Sequence, residues 1–380
     1  MPLSAQARGI ANSQAKRQVV DMSENISMLR PSSAPLLVLT KKLDSSSCSN
    51  VKFEWFEDDF MARWTKALAG IAGGVTTLTV PLDEAQLIAV DDIVKVVRTG
   101  EVMRVTGITT NSLTVVRGYG ETTAVAINTD DKLLVIGNAI MQGAGSPAEK
   151  YNDVTPVFNY TQIFRTPYSI TNTFDATKVY GKKELDRLRF KRGVDHKMSI
   201  EYSLLFGERK FDTSGAQPRT TTGGVLAFLK GTSNIMSKAK ASVTEADFIA
   251  FCEQVFTYGS ETKIVLASPM LLTVLDGFAR NRLSVVQSDK DKQYGLDVTS
   301  FVTPHGTLKF IKHPLLVSGY DGTGIVLDPE ELSYRSLKGR DTSLKTNIQL
   351  PDEDGKKEEY ITEAGLELRQ VKKHGLIQLT

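Results

Sequence analysis

A chain of 380 residues is long enough for two or three folding units, each with its own core. Its 41% hydrophobic and 24% charged residues are ordinary globular values, which exclude a disordered or fibrous chain. A net charge of +2 excludes a strongly basic nucleic-acid binder at the scale of the whole chain, while leaving room for a local basic face.

Residues 1–50 are short of aromatics and rich in Ser, Ala and Lys/Arg, with Pro31 and Pro35 as breakers. Asp21 or Ser23 can cap a short helix through Leu29. The stretch reads either as a disordered tail or as an arm that orders on a neighbouring molecule. The apolar cluster Leu36, Leu37, Val38 and Leu39 favours the arm. Val51–Glu57 alternates apolar and polar residues, the mark of a half-buried strand. Between about 73 and 138, five short β-rich runs separated by turn residues predict a small barrel or sandwich inserted between extended segments.

Val157–Arg165 is again rich in strand formers. A charge-dense helix follows over about 182–210, with Leu185, Leu188, Met198, Tyr202 and Leu205 as a narrow apolar stripe. Lys191 with Asp195 and Lys197 with Glu201 stand four apart as ion pairs. A helix so long and polar reads as a strut lying across a sheet and meeting other molecules, which points to an assembly subunit. The breaker loop 213–224 ends the run. From Val225 the texture is α/β: a helix capped by Ser242 or Thr244, a strand at 263–267, a helix opened by Pro269, and strands at 297–303, 307–313 and 324–328. Strands are expected again at 332–337 and 360–371, with 352–359 as a polar hairpin tip.

Catalytic and metal chemistry find little support. The chain has two cysteines, Cys48 and Cys252, so neither a disulfide framework nor metal-ligand spacing exists, and a reducing cytoplasm is the expected setting. No apolar run approaches the roughly 20 residues of a membrane span, and the amino terminus lacks the apolar core of a signal peptide. Arg117–Glu121 and Gln142–Ser146 are glycine-containing turns without the lysine or the later glycine of a phosphate loop. His196, His305, His313 and His374 share no ligand spacing. Glu54 and Glu57 beside Trp55 are the one pair suited to acid–base work on a glycoside, yet a regular strand points them to opposite faces. Lys182–Arg192 is a basic run broken by Glu184 and Asp186, and base-reading motifs are absent. No catalytic, cofactor or metal residue is assigned.

Taken in order, the segments Val20-Asp-Met-Ser-Glu-Asn-Ile26, Ser33-Ala-Pro-Leu36, Phe53-Glu-Trp-Phe-Glu-Asp58, Asn159-Tyr-Thr-Gln-Ile-Phe-Arg165, Pro218-Arg-Thr-Thr-Thr-Gly-Gly224 and Lys373-His-Gly-Leu376 resemble the Hong Kong 97-type major capsid proteins of tailed bacteriophages, in the long subfamily with a β insertion. The resemblance implies an α+β capsid fold. Its parts would be an arm at 1–50, an extended loop at 51–153 carrying the insertion, a peripheral domain at 154–221 and 329–380 with its spine helix, and an axial domain at 222–328. It further implies self-assembly into pentamers and hexamers of an icosahedral shell in the virion, built in the host cytoplasm. Packaged double-stranded DNA would be held without sequence reading, and scaffolding, portal and decoration proteins would be partners. Arg165 and Arg219, with Glu54 and Trp55, are the expected intersubunit contacts. A compartment shell of encapsulin type is the nearest alternative. A carbohydrate-active enzyme with a β binding module is the alternative from another class.

Overall fold

The computed structural model describes residues 34–59, 63–81, 88–146, 153–179, 183–232, 234–282 and 298–380. Chain contacts divide it into two units, residues 1–55 with 157–380, and residues 56–156.

The first element is α1 (Pro35–Leu43), followed by β1 (Ser45–Cys48) and β2 (Lys52–Glu57). The barrel-forming strands come next: β3 (Trp64–Lys66), β4 (Thr77–Thr79), β5 (Asp92–Val96), β6 (Val102–Thr109), β7 (Ser112–Val116) and β8 (Lys132–Asn138). Then follow β9 (Thr155–Tyr160), β10 (Gln162–Thr171), the short α2 (Asn172–Ala176) and the long α3 (Glu184–Phe206). A hairpin of β11 (Lys210–Asp212) and β12 (Arg219–Thr221) leads to α4 (Val225–Leu229), β13 (Ile235–Lys238) and α5 (Glu245–Val255). The chain continues through β14 (Thr262–Ala267), α6 (Pro269–Arg282), β15 (Val298–Thr303), β16 (Gly306–Lys312) and β17 (Thr323–Leu327). It ends with β18 (Leu332–Leu337), β19 (Ser343–Lys345), β20 (Gly355–Leu368) and β21 (Gly375–Leu379).

The larger unit is built on two sheets. One has the order β1-β18-β20-β10, with β19 also on β20; the other has the order β13-β21-β17-β14-β16-β15. A shared core joins them: Phe164, Tyr334, Ala364 and Leu366 come from the first sheet, and Ile264, Leu266, Ile311 and Ile325 from the second. The opposite face of the second sheet buries Val265, Phe310 and Val326 against Phe248, Phe251 and Val255 of α5 and Leu271 of α6. With both faces covered, β14 reads as a continuous apolar run rather than an alternation. Helix α5 starts on a capping box in which Thr244 and Asp247 each satisfy the other's backbone N–H.

The structure changes several sequence-based expectations. Residues 1–33, with the expected helix over 21–29, lie outside the described residues. Pro35 does not break the chain but opens α1, where its missing N–H costs nothing. Leu36, Leu37 and Leu39 of α1 insert into this chain's own core. The Ser-rich segment around Cys48 is a strand, β1, parallel to β18. Residues 355–359 are not a hairpin tip but the start of the fourteen-residue β20, with Glu358 and Glu359 buried. The carboxy-terminal β21 sits between β13 and β17, in the second sheet rather than with β18 and β20. The buried face of α3 is His196, Ile200, Glu201, Leu204 and Leu205, whereas Tyr202 is 49% exposed. Glu201 is therefore no surface partner of Lys197. Its carboxylate accepts from the Leu36 and Leu37 amides at 2.8 and 2.7 Å, capping α1 from a helix 165 residues away. His313 completes the site at 2.7 Å.

His196 and His374 are also structural. His196 lies between Thr166 and Thr362 at 2.9 and 2.8 Å, tying α3 to β10 and β20. His374 accepts from the Asp328 amide through Nδ1 at 3.1 Å and faces the Arg369 carbonyl through Nε2 at 3.0 Å. Burial pushes its pKa down to about 4. Lys263, wholly buried, donates to the carbonyls of Val255, Tyr258 and Lys373 at 2.8, 2.8 and 2.6 Å, and burial lowers its pKa to about 8.

The smaller unit is a six-stranded antiparallel sheet in the order β3-β8-β5-β6-β7-β4 around Leu78, Val94, Val96, Met103, Leu113 and Leu133. Just past β3, the Leu68 amide donates to Thr79 O of β4 at 2.9 Å, so the two edge strands meet and the sheet closes. Strand β3 lies upstream of the expected boundary at 73. Inside the loops, Arg117 is bidentate to Glu101 at 2.6 and 2.7 Å and also donates to the carbonyls of Ala72, Val75 and Val125. The turn at Arg117, rejected as a phosphate loop on sequence, thus holds a carboxylate of its own chain. Burial pushes the Glu101 carboxyl up, but Arg117 and the Val125 and Gly118 amides outweigh it and hold it below the usual carboxylate range.

Two outcomes follow from these buried charges. Glu101→Gln strands the Arg117 guanidinium and lowers the stability of the full chain by about 3 kcal/mol, read by calorimetry. Replacing both residues with well-packed apolar ones costs far less. For His374, the unfolded chain takes up its proton near the ordinary value of 6.5 and the folded chain only near 4. Stability is therefore complete above the first value and is lost as pH falls toward the second, by up to about 3 kcal/mol. Denaturant midpoints measured at about pH 7 and about pH 4.5 check it, with His196, also depressed by burial, adding in the same direction.

Candidate functional site

Strand β20 explains why one face of the first sheet is charged. Its alternation puts Glu358, Tyr360, Thr362, Ala364 and Leu366 on the face covered by α3, and Glu359, Ile361, Glu363, Gly365 and Glu367 on the other. On the helix side, Arg189 of α3 is bidentate to Glu358 at 2.8 and 2.6 Å, and Tyr168 donates to the same carboxylate at 2.6 Å. Tyr360 donates to the Arg189 carbonyl at 3.2 Å.

The far face carries a ladder of ion pairs. Arg165 of β10 meets Glu359 at 2.6 Å, Arg340 meets Glu363 at 2.5 Å, and Arg335 of β18 meets Glu367. In every rung the carboxylate is sunk and the guanidinium lies above it: the side chain of Glu359 is 5% exposed, that of Arg165 60%. Arg165, Lys345, Lys357 and Glu359, with Pro167 and Ile348, surround an open groove of about 560 Å³. Arg165, Arg335, Arg340, Arg369, Lys345 and Lys357 thus stand around Glu359, Glu363 and Glu367, a local excess of positive charge on a chain that is nearly neutral as a whole. An Arg fork uses two of its five N–H donors on the carboxylate below, and the remainder suit a second carboxylate above.

The ribbon of β2 and β9 approaches the same face at Gly365. A Cβ there would stand 2.6 Å from Tyr160 O and 2.9 Å from the Phe53 ring, so only glycine lets the strands come this close. Trp55, on β2, is buried; its ring stacks on Phe53 and meets Phe228 at a tilt of 50°, each at 6.1 Å between centroids. Glu54 points the other way, exposed, and pairs with Lys52. Glu57, three positions on, falls on the other side of the alternation from Glu54, and the two carboxylates do not form a catalytic pair.

Arg219 opens β12 and is exposed, opposite Asp212 across the hairpin. It helps hold the Asp212 carboxyl below its ordinary value, after the Ser214 amide and hydroxyl have done most of that work. The hairpin is anchored by Thr220, which donates to Thr161 O at 2.6 Å. The four residues singled out in the sequence therefore lie on three strands in separate surroundings. Those that the sequence reading passed over are Glu359, Glu363 and Glu367. Their spacing of four was a usable signal, because an even spacing puts all three on one face of a strand.

Among the described residues no group of His, Cys, Asp or Glu could hold a metal ion, and no helix is long and apolar enough to cross a membrane. Both cysteines are free and buried, and burial pushes the Cys252 thiol up to about 12.

Comparison with known proteins gives this architecture its context. The family model described as SU10 major capsid protein matches residues 8–380. The chain is 25% identical over 326 residues to a major capsid protein of Pseudomonas phage PaMx41, covering 82% of this chain and 77% of that one. Among solved structures, a chain of Microbacterium phage Oxtober96 is similar with a TM-score of 0.51 at 11% identity, covering 96% of both chains. A chain of Mycobacterium phage Bobi gives a TM-score of 0.51 at 7% identity, covering 96% of this chain and 97% of that one. The fold is α+β and of the Hong Kong 97 type, as the resemblance implied. With the family match running over nearly its whole length, the chain belongs to the SU10 major capsid protein family.

Proposed function

We propose that this phage major capsid protein assembles with copies of itself, as pentamers and hexamers, into an icosahedral shell around packaged double-stranded DNA, and that it performs no catalysis of its own. The observation that carries the reading is the charged far face of the first sheet, where guanidinium groups stand outward over sunken carboxylates. Such a face is well suited to a partner's carboxylates. In domain terms, residues 154–221 and 329–374 form the peripheral part with α3 as its spine, residues 222–328 with β21 form the axial part, and the closed sheet of the smaller unit rides on an extended loop. Arg165 and Arg219 are the intersubunit cations and Glu54 is a rim contact. Trp55 acts from beneath, by fixing the strand that carries Glu54. The small net charge suits an inner wall that must hold DNA without gripping it, since affinity for phosphates rises with each cation engaged. Assembly takes place in the host cytoplasm with scaffolding, portal and decoration proteins as partners.

The test is particle formation, followed by negative-stain electron microscopy and sedimentation. Arg219→Glu is expected to abolish closed particles while the subunit melts as the wild type does. For Arg165 a charge reversal is unsuitable, because it leaves Glu359 sunk beside a second anion. The paired change Arg165→Gln with Glu359→Gln removes both charges, and is expected to keep the fold and weaken assembly. Normal particles from both variants would contradict the reading.

A further inference from the structure

The smaller unit carries a surface feature that its own core does not require. Trp64 lies on the outer side of β3 with 52% of its surface exposed, while the core of the sheet is filled without it. Cross-strand pairing sets Trp64 opposite Leu134, and Lys66 opposite Lys132; on the next strand Lys95 stands opposite Leu134. Trp64, Thr65, Lys66, Val97, Asp130 and Lys132 line an open groove of about 700 Å³. Asp130 holds a left-handed backbone conformation, φ 64°, which a residue with a side chain adopts at a cost. The neighbouring Asp131 is turned away and locked on Arg98 at 2.7 Å, so the two consecutive carboxylates have different tasks. Asp130 stays at the groove, 66% exposed, with the Lys66 ammonium at 2.7 Å.

We infer that this groove is a binding site for a hydroxyl-rich saccharide, with the Trp64 ring as the platform for a sugar face and Asp130, Lys66 and Lys132 as partners of its hydroxyls. A large flat ring left half in water is a platform for another flat apolar face, and the C–H face of a pyranose supplies one. A sugar hydroxyl both donates and accepts, which matches a carboxylate and ammonium groups standing side by side. The volume lies within the range of small-ligand sites. A single-stranded nucleic acid fits less well: it needs successive stacking platforms along a basic track, and an exposed carboxylate repels its phosphates. Among the described residues, Trp64 is the one aromatic ring that lines this groove.

The site can be read with the intact chain, since Trp55, the other tryptophan, is buried. Tryptophan fluorescence would be followed while titrating maltoheptaose, cellohexaose, chitohexaose, an oligoglucuronate and, separately, a short single-stranded DNA of mixed sequence. The proposal expects at least one saccharide to shift the emission saturably. Trp64→Ala should weaken its binding about tenfold or more, measured by calorimetry, and Asp130→Asn should weaken it several-fold. The thermal transition of both variants should stay in place, because neither side chain is part of the core. Binding of none of the saccharides, binding of DNA alone, or saccharide binding that survives Trp64→Ala would each overturn it.

Discussion

The fold depends on one buried carboxylate. Glu201 lies on the inner side of α3 and accepts from the first free amides of α1, while His313, just past β16, closes its remaining side. Three segments far apart in sequence thus meet at a single charge. Helix α1 has no side-chain cap of its own, since Ala34 stands at its N-cap and Pro35 follows. The unsatisfied amides and the positive end of the helix dipole make a site for an anion, and α3 supplies it. The Leu315 amide donates to Nδ1 of His313 at 3.2 Å, which leaves the proton on Nε2 and directs it at Glu201. A neutral imidazole and two backbone amides are enough to keep a buried carboxylate satisfied.

The same device recurs elsewhere with other partners. Glu101 is satisfied by Arg117 and loop amides, Glu358 by Arg189 and Tyr168, Glu359 and Glu367 by arginines on neighbouring strands, and Glu363 by Arg340 in the turn after β18. Buried ion pairs add little net stability against apolar packing, but they punish the wrong arrangement. A one-residue slip of β20 would drive Glu359, Glu363 and Glu367 under α3 and lift Ala364, Leu366 and Leu368 into the open. The charges fix the register of the strand that binds the sheet together. On the outer face they also leave guanidinium groups directed away from the chain, and this is how a device for folding becomes a device for meeting other molecules.

The parts of this account legible in the sequence were those governed by local pattern. Alternation found β2, β-rich runs found β7 and β18, capping placed the start of α5 at Ser242 or Thr244, of which Thr244 is the cap, and length with scattered charge found α3. Local pattern failed where a distant residue decides the outcome. Lys197 and Glu201 have the spacing of a surface pair, and only the tertiary fold shows that Glu201 faces inward to α1. The segment at 352–359 is polar enough for a turn, yet Glu358 and Glu359 are sunk because arginines from α3 and β10 reach them. Strand β21 is short and follows a turn at Lys373, so nothing in its neighbours showed that it enters the second sheet. Of the four residues singled out for contact, Trp55 proved to be a core side chain of a half-buried strand, a distinction that alternation alone could have drawn.

The most direct test of the central role of Glu201 is amide hydrogen exchange across α1 and α3 in the intact chain and in Glu201→Gln. An amide oxygen can replace only one of the two acceptors, and the new N–H₂ group faces a donor. The account predicts that exchange at Leu36, Leu37 and the rest of α1 accelerates by at least about a hundredfold, equivalent to about 2.7 kcal/mol of lost protection, while amides of β14 and β17 keep theirs. Unchanged exchange in α1 would contradict the claim that this carboxylate holds the helix in place.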